Sequence, residues 1–290
     1  MKIKKINKVA FIGIGLINSS LARDLRNSGF YNYSSAFSRT KKTREILRKL
    51  KIVDQVDENI ENTVRDADLV ILGVPVAAYS GVLKQISCYL KENAIVTDVG
   101  SVKKSIIKIA KKYLPNGIDF IPGHPIAGTE NSGPEAGFKG LFKNGFCILT
   151  PDINVKKNSL NTIIKMWNTV GMKVDIMDST YHDMVLAITS HIPHIVAYSI
   201  VGTVSDLEKS IKKEVIKYAA SGFKDFTRIA ASDPVMWRDI LISNKKSILD
   251  MLSIFKRDLS KLEKAIKKED SKFLYNLFSK TRLIRKKINK

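Results

Sequence analysis

Short apolar runs alternate with helical segments as far as Asp178, and beyond it only the helical period continues. Val9-Ala10-Phe11-Ile12, Asp68 to Pro75, Ala94 to Asp98, Ile118 to Pro122, Phe146 to Thr150 and Lys173 to Met177 are nearly continuous in apolar character. Such runs suit strands buried on both faces, as in a parallel sheet covered by helices. From Ser179 onward Leu, Ile, Ala and Met recur at three and four. The chain therefore reads as α/β, a mostly parallel sheet over residues 1–177 followed by an all-helical domain over 178–290.

The first run ends in Gly13-Ile14-Gly15-Leu16-Ile17-Asn18 and opens a helix with Ile17, Leu21 and Leu25 on one face and Ser28-Gly29 as its stop. Strand, glycine turn and helix start together form the context of a dinucleotide site of Rossmann type. Gly13 permits the tight turn, and Gly15 lets the backbone approach a pyrophosphate beside Leu16 and Ile17. Asn18 stands where a third glycine is usual. That position serves helix–strand packing, so a small shift of the helix is expected, not loss of binding. Val74 and Pro75, at the end of the next long run, are placed against the same cofactor. The end of the second strand carries Ser38 and Arg39, not a carboxylate. A hydroxyl beside a cation suits a 2′-phosphate, which leans the cofactor toward NADP over NAD.

Candidate chemistry concentrates in Gly123-His124-Pro125-Ile126-Ala127-Gly128-Thr129-Glu130, expected as a glycine-pinned loop at a strand's carboxyl end. His124 is the natural general base. Ser101 reads as the N-cap of the helix after Ala94–Asp98, with its hydroxyl at the sheet edge. Ser190-His191-Ile192-Pro193-His194 puts two histidines on one helix face, with Pro193 expected to kink it. No HExxH pattern or carboxylate accompanies them, so no metal is expected. Asp225 stands three positions before Arg228, where it could hold that guanidinium, and His182 reads as structural.

Composition bounds the rest. Forty-nine Lys+Arg against 28 Asp+Glu give a net charge of +21. The basic residues are spread along the chain, which favours attraction of small anions over a nucleic-acid interface. No apolar run of membrane-spanning length and no export signal is read, and two cysteines fit a cytoplasmic protein.

The ordered motifs resemble those of the prephenate and arogenate (cyclohexadienyl) dehydrogenases of tyrosine biosynthesis. The resemblance runs through Asp98-Val99-Gly100-Ser101-Val102-Lys103, His124 to Glu130, Ser190 to His194, Gly222 to Arg228 and Asp233 to Trp237. It implies an NAD(P)-dependent oxidative decarboxylation of prephenate or arogenate by a homodimer, with the helical domain forming the dimer. It implies that His124 takes the ring-hydroxyl proton and that Ser101 hydrogen-bonds both that hydroxyl and His124. Arg228 would bind the side-chain carboxylate, with His194, His191, Glu130 and Trp237 around the substrate. Two rival readings are a 3-hydroxyacid or 6-phosphogluconate-type dehydrogenase and a cofactor-sensing protein without chemistry. The first would be expected to carry a catalytic lysine where the histidine pair lies, and the second has no use for His124, Ser101 and Arg228 together.

Overall fold

In the computed structural model, which describes residues 6–207, 211, 214 and 217–288, the first strand determines where everything else goes. β1 (Ile6–Ile12) pairs in parallel with β2 (Tyr31–Phe37) on one side and β4 (Leu69–Leu72) on the other. β3 (Gln55–Val56), β5 (Ile95–Asp98) and β6 (Asp119–Ile121) complete a six-stranded parallel sheet in the order β3-β2-β1-β4-β5-β6. The direction of winding reverses between β1 and β4, so a crevice opens at their carboxyl ends.

Helices cover both faces, as uniformly apolar strands require. On one side α1 (Leu16–Ser28), α2 (Lys41–Leu50) and α6 (Lys157–Thr169) bury Leu21, Leu25, Leu47, Ile163 and Trp167 against Phe11 and Leu69. On the other, α3 (Ile60–Val64), α4 (Tyr79–Ile86) and α5 (Lys104–Tyr113) bury Tyr79, Leu83 and Ile106 against Ile12 and Val70.

The stretch after β6 differs from the expected loop. Pro122 cannot donate to the ladder, and the chain leaves the sheet there to form β7 (Gly123–Ile126). β7 pairs antiparallel with β8 (Phe146–Leu149), His124 opposite Ile148, and β8 pairs in parallel with β9 (Lys173–Ile176). Pro125 is tolerated because β7 is an edge strand of this second sheet. His124 is thus held by a strand and not by a loop. The segment that follows is pinned to α1, where Phe138 N donates to Ser20 Oγ and Gly140 N to Asp24.

After β9 the described structure is helical: α7 (Ser179–Leu186), one π-type turn (Ala187–His191), α8 (Ile192–Ser205), α9 (Ser221–Thr227), α10 (Pro234–Ser243), α11 (Lys245–Lys267) and α12 (Ser271–Ile288). The interruption expected at Pro193 is taken up by the π turn just before it, where a missing N–H is accommodated by re-spacing the ladder. The run Ser179–Ser205 is long and apolar enough to cross a membrane by length and composition, contrary to the sequence reading. His182, Asp183, His191 and His194 punctuate it, which is why no apolar stretch stood out. Those polar groups point into the protein. α10 closes over the first domain by adding Trp237 and Ile240 to the apolar layer of α4 and α5.

Candidate active site

The glycine turn is built as a phosphate cradle needs. Gly13 has φ +78, and a Cβ there would meet Val74 Cγ1 at 2.6 Å. Gly15 caps α1 without any side chain on the free amides, no acid stands in the first turn, and a Cβ on Gly15 would enter open space. Bare N–H groups at a helix start, facing a crevice, suit a pyrophosphate. Asn18 is buried and donates from Nδ2 to Gly13 O at 2.8 Å. Room for it comes from Gly73, whose missing Cβ would lie 2.4 Å from that nitrogen.

At the end of β2, Ser38 is buried, and its hydroxyl accepts from Ile14 N at 3.3 Å, tying β2 to the glycine turn. Arg39 is exposed. The cation that sequence reasoning passed over is Arg44, which donates to Ser38 O and Arg39 O and lies over the Phe37 ring.

A cavity of about 370 Å³ runs from Gly15, Leu16 and Ile17 past Val74, Pro75 and Ser101 to His124 and Glu130. It joins the cofactor crevice to the strand that carries the base. Ser101 is not a helix cap, because α5 begins at Lys104. The free amides of Lys103 and Lys104 are taken instead by Asp183 of α7, at 2.8 and 3.1 Å. The Ser101 hydroxyl is thereby released to line the cavity, and it makes no hydrogen bond to His124.

His124 bonds elsewhere. Its Nδ1 lies 2.9 Å from His182 Nε2, and His182 Nδ1 lies 2.8 Å from Asp183 Oδ1. The residue expected to be structural is therefore in direct contact with the candidate base. Beneath them Lys103 Nζ, fully buried, bridges Asp98 Oδ2 and Gly123 O at 2.5 and 2.7 Å, fixing β7 to the end of β5. Burial, and after it the neighbouring His182, Lys103 and His191, hold His124 well below the ordinary imidazole value. At neutral pH it is a free base.

The remaining candidates divide. Glu130 lines the cavity, and its carboxylate binds Arg228 at 2.8 Å. Arg228 thus pairs across the site, not with Asp225 three residues before it, and its side chain is 57% exposed and free to change partner. His194 donates from Nδ1 to Ser190 O and stacks on Trp237 with ring centres 3.6 Å apart. That leaves its Nε2 as an acceptor. His191 turns away: buried, with Nδ1 3.2 Å from Asn244 Nδ2, it is pushed down to about 4, first by burial.

Residues 21–176 match the family model described as prephenate dehydrogenase, nucleotide-binding domain, and residues 178–280 the model for its dimerization domain. The chain is 40% identical to a cyclohexadienyl dehydrogenase of Zymomonas mobilis, over 96% of this chain and 94% of that protein. A crystal structure of prephenate dehydrogenase from A. aeolicus in complex with hydroxyphenyl propionate and NAD+ superposes with a TM-score of 0.91. It is 33% identical and covers 99% of this chain and 100% of its own. A Synechocystis arogenate dehydrogenase follows at TM-score 0.80 and 28% identity, covering 97% and 99%.

Proposed function

The chain belongs to the prephenate dehydrogenase family, and from that premise we propose that it is an NAD(P)-dependent cyclohexadienyl dehydrogenase acting on prephenate, arogenate or both. The observation that carries the reading is a buried imidazole, its pKa held down by that burial, in the wall of a cavity that begins at a dinucleotide turn.

A nicotinamide cofactor held at the Gly13–Gly15 turn and the start of α1 would supply the acceptor for a hydride from the ring carbon bearing the hydroxyl. His124 takes the hydroxyl proton as the carbonyl forms, and Ser101 donates a hydrogen bond to the same oxygen. The dienone so formed loses its ring carboxylate as carbon dioxide. The electron pair left behind aromatises the ring to a phenolate, to which His124 can return the proton. Arg228 exchanges Glu130 for the side-chain carboxylate, and the Trp237–His194 stack supports that end of the pocket. The protein supplies a base, an anion clamp and orientation, and aromatisation supplies the driving force.

His124→Asn tests the assignment. It should lower kcat by ~10²–10⁴-fold, the usual share of a general base, with a smaller change in KM. In the wild type the acid limb of kcat/KM should lie below the ordinary histidine range, since the free protein holds His124 down. A mutant with near-normal kcat would remove His124 from the chemistry.

We infer further that NADP serves at least as well as NAD. No carboxylate ends β2, Ser38 sits at the turn, and exposed Arg39 supplies positive charge there, while Arg44 is paired with Glu58. Measuring kcat/KM with both cofactors for wild type and Ser38→Asp should show a shift toward NAD in the mutant, weaker at high salt. A wild type that strongly prefers NAD and ignores the substitution would refute this. Two cysteines that are both free fit a cytoplasmic compartment.

A further inference from the structure

The contacts of His182 with His124 and Asp183 form a chain whose proton positions can be worked out from its fixed end. Asp183 Oδ1 and Oδ2 accept the backbone N–H groups of Lys103 and Lys104, so the carboxylate stands as an acceptor at the start of α5. Its contact with His182 Nδ1 therefore requires that nitrogen to donate. A neutral His182 then has a bare Nε2, which can only accept from His124 Nδ1–H. His124 Nε2 is left without a proton and without a partner in the protein, on a residue that lines the cavity.

We propose that His182 and Asp183 are positioning residues: together they lock His124 in the tautomer whose Nε2 is the base and stabilise its imidazolium during proton transfer. The inference rests on the reading of His124 as general base. Asp183 is well suited to the task because one carboxylate both caps α5 and anchors His182, joining the helical domain to the strand-borne base through buried contacts. Its neighbour Asn244 donates to Asp183 O at 2.7 Å and fixes that turn of α7. The other charges facing the pair are Lys103 at the start of α5, Asp98 on β5 and, when protonated, His191. Lys103 and Asp98 are themselves paired, which leaves Asp183 as the carboxylate in hydrogen-bonded line with the two rings.

The protein has four histidines, so the ring nitrogens of histidine-labelled enzyme give few signals to assign by NMR. In the wild type near neutral pH, Nε2 of both His124 and His182 should appear as bare nitrogens and Nδ1 of both as N–H. An Nε2–H on His124 would overturn the proposal without any mutant. For activity, Asp183→Asn and His182→Leu should each lower kcat by ~10²–10⁴-fold with KM changed much less, as for an orienting partner of a catalytic histidine. His182→Gln, whose amide oxygen can still accept from His124 Nδ1–H, should recover about tenfold over His182→Leu. Folding and cofactor binding are checked by thermal unfolding and by fluorescence titration with NAD(P). Folded variants with kcat within about threefold of wild type would make the chain merely structural. If instead His124→Asn is as active as wild type, the parent reading fails and not this one alone.

Discussion

Arg228 shows how a residue's meaning depends on its partner. Beside Glu130 and largely in solvent, the pair is screened by water and adds little to stability. A substrate carboxylate held by the same guanidinium in a closed site is worth ~1.5–3 kcal/mol. Arg228→Ala should therefore raise KM by ~10–100-fold with little loss of thermal stability, and Arg228→Lys should recover only part because the planar fork is lost. Glu130→Gln frees Arg228 before substrate arrives and should lower KM by up to about fivefold. Steady-state kinetics with thermal unfolding decides between roles. Unchanged KM with a lower melting temperature in Arg228→Ala would make the pair structural.

At the scale of elements, α1 and β4 are coupled through one side chain. Asn18 replaces the small residue usual at the helix–strand crossing, and Gly73 supplies the space. Asn18 Nδ2 also holds Gly13 O, so packing and the phosphate turn share a contact. Gly73→Ala would push a Cβ within 2.4 Å of Asn18 Nδ2 and 2.9 Å of Gly13 O. Overpacking of this kind should cost ~1–3 kcal/mol and raise KM for the cofactor more than for the substrate. Adding Asn18→Gly should restore part of both, since it removes the nearer contact and leaves only the approach to Gly13 O. Additive losses in the double mutant would show that the two positions are independent.

The whole molecule has two unequal halves. The sheet is sealed on both faces, whereas among the described residues the helical part has its own small core of Ala187, Ile192 and Ile248. Leu249, Leu259 and Ile266 on α11, and Phe278 and Leu283 on α12, are more than half exposed. The Ser179–Ser205 run likewise leaves Met184, Ile188 and Val201 outward. Apolar surface of this extent calls for a partner. A second copy is the natural one, because the helical residues match a dimerization-domain model. Light scattering should give twice the chain mass of 32.5 kDa. Paired charge substitutions such as Leu259→Glu with Phe278→Glu should yield a less stable monomer. A wild type that remains monomeric at micromolar concentration would rule the dimer out.

The sequence alone determined the alternation of buried strands and helices, the glycine turn and the change to helices after β9, because these follow from local apolar period and backbone permission. It also presented His124, Ser101 and Arg228, since residue type in an ordered motif is a local property. What it could not specify were contacts whose partners lie far apart in the chain. Pro122 marked a break, but only pairing with β8 made the next residues a strand. Asp225 was the nearer acid to Arg228, yet Glu130 on the facing segment holds it. His182 looked structural because its contact with His124, and the capping of α5 by its neighbour Asp183, join residues 58 and 80 positions apart in the chain. Hydrogen bonds join groups that are close in space, and only tertiary packing brought these together.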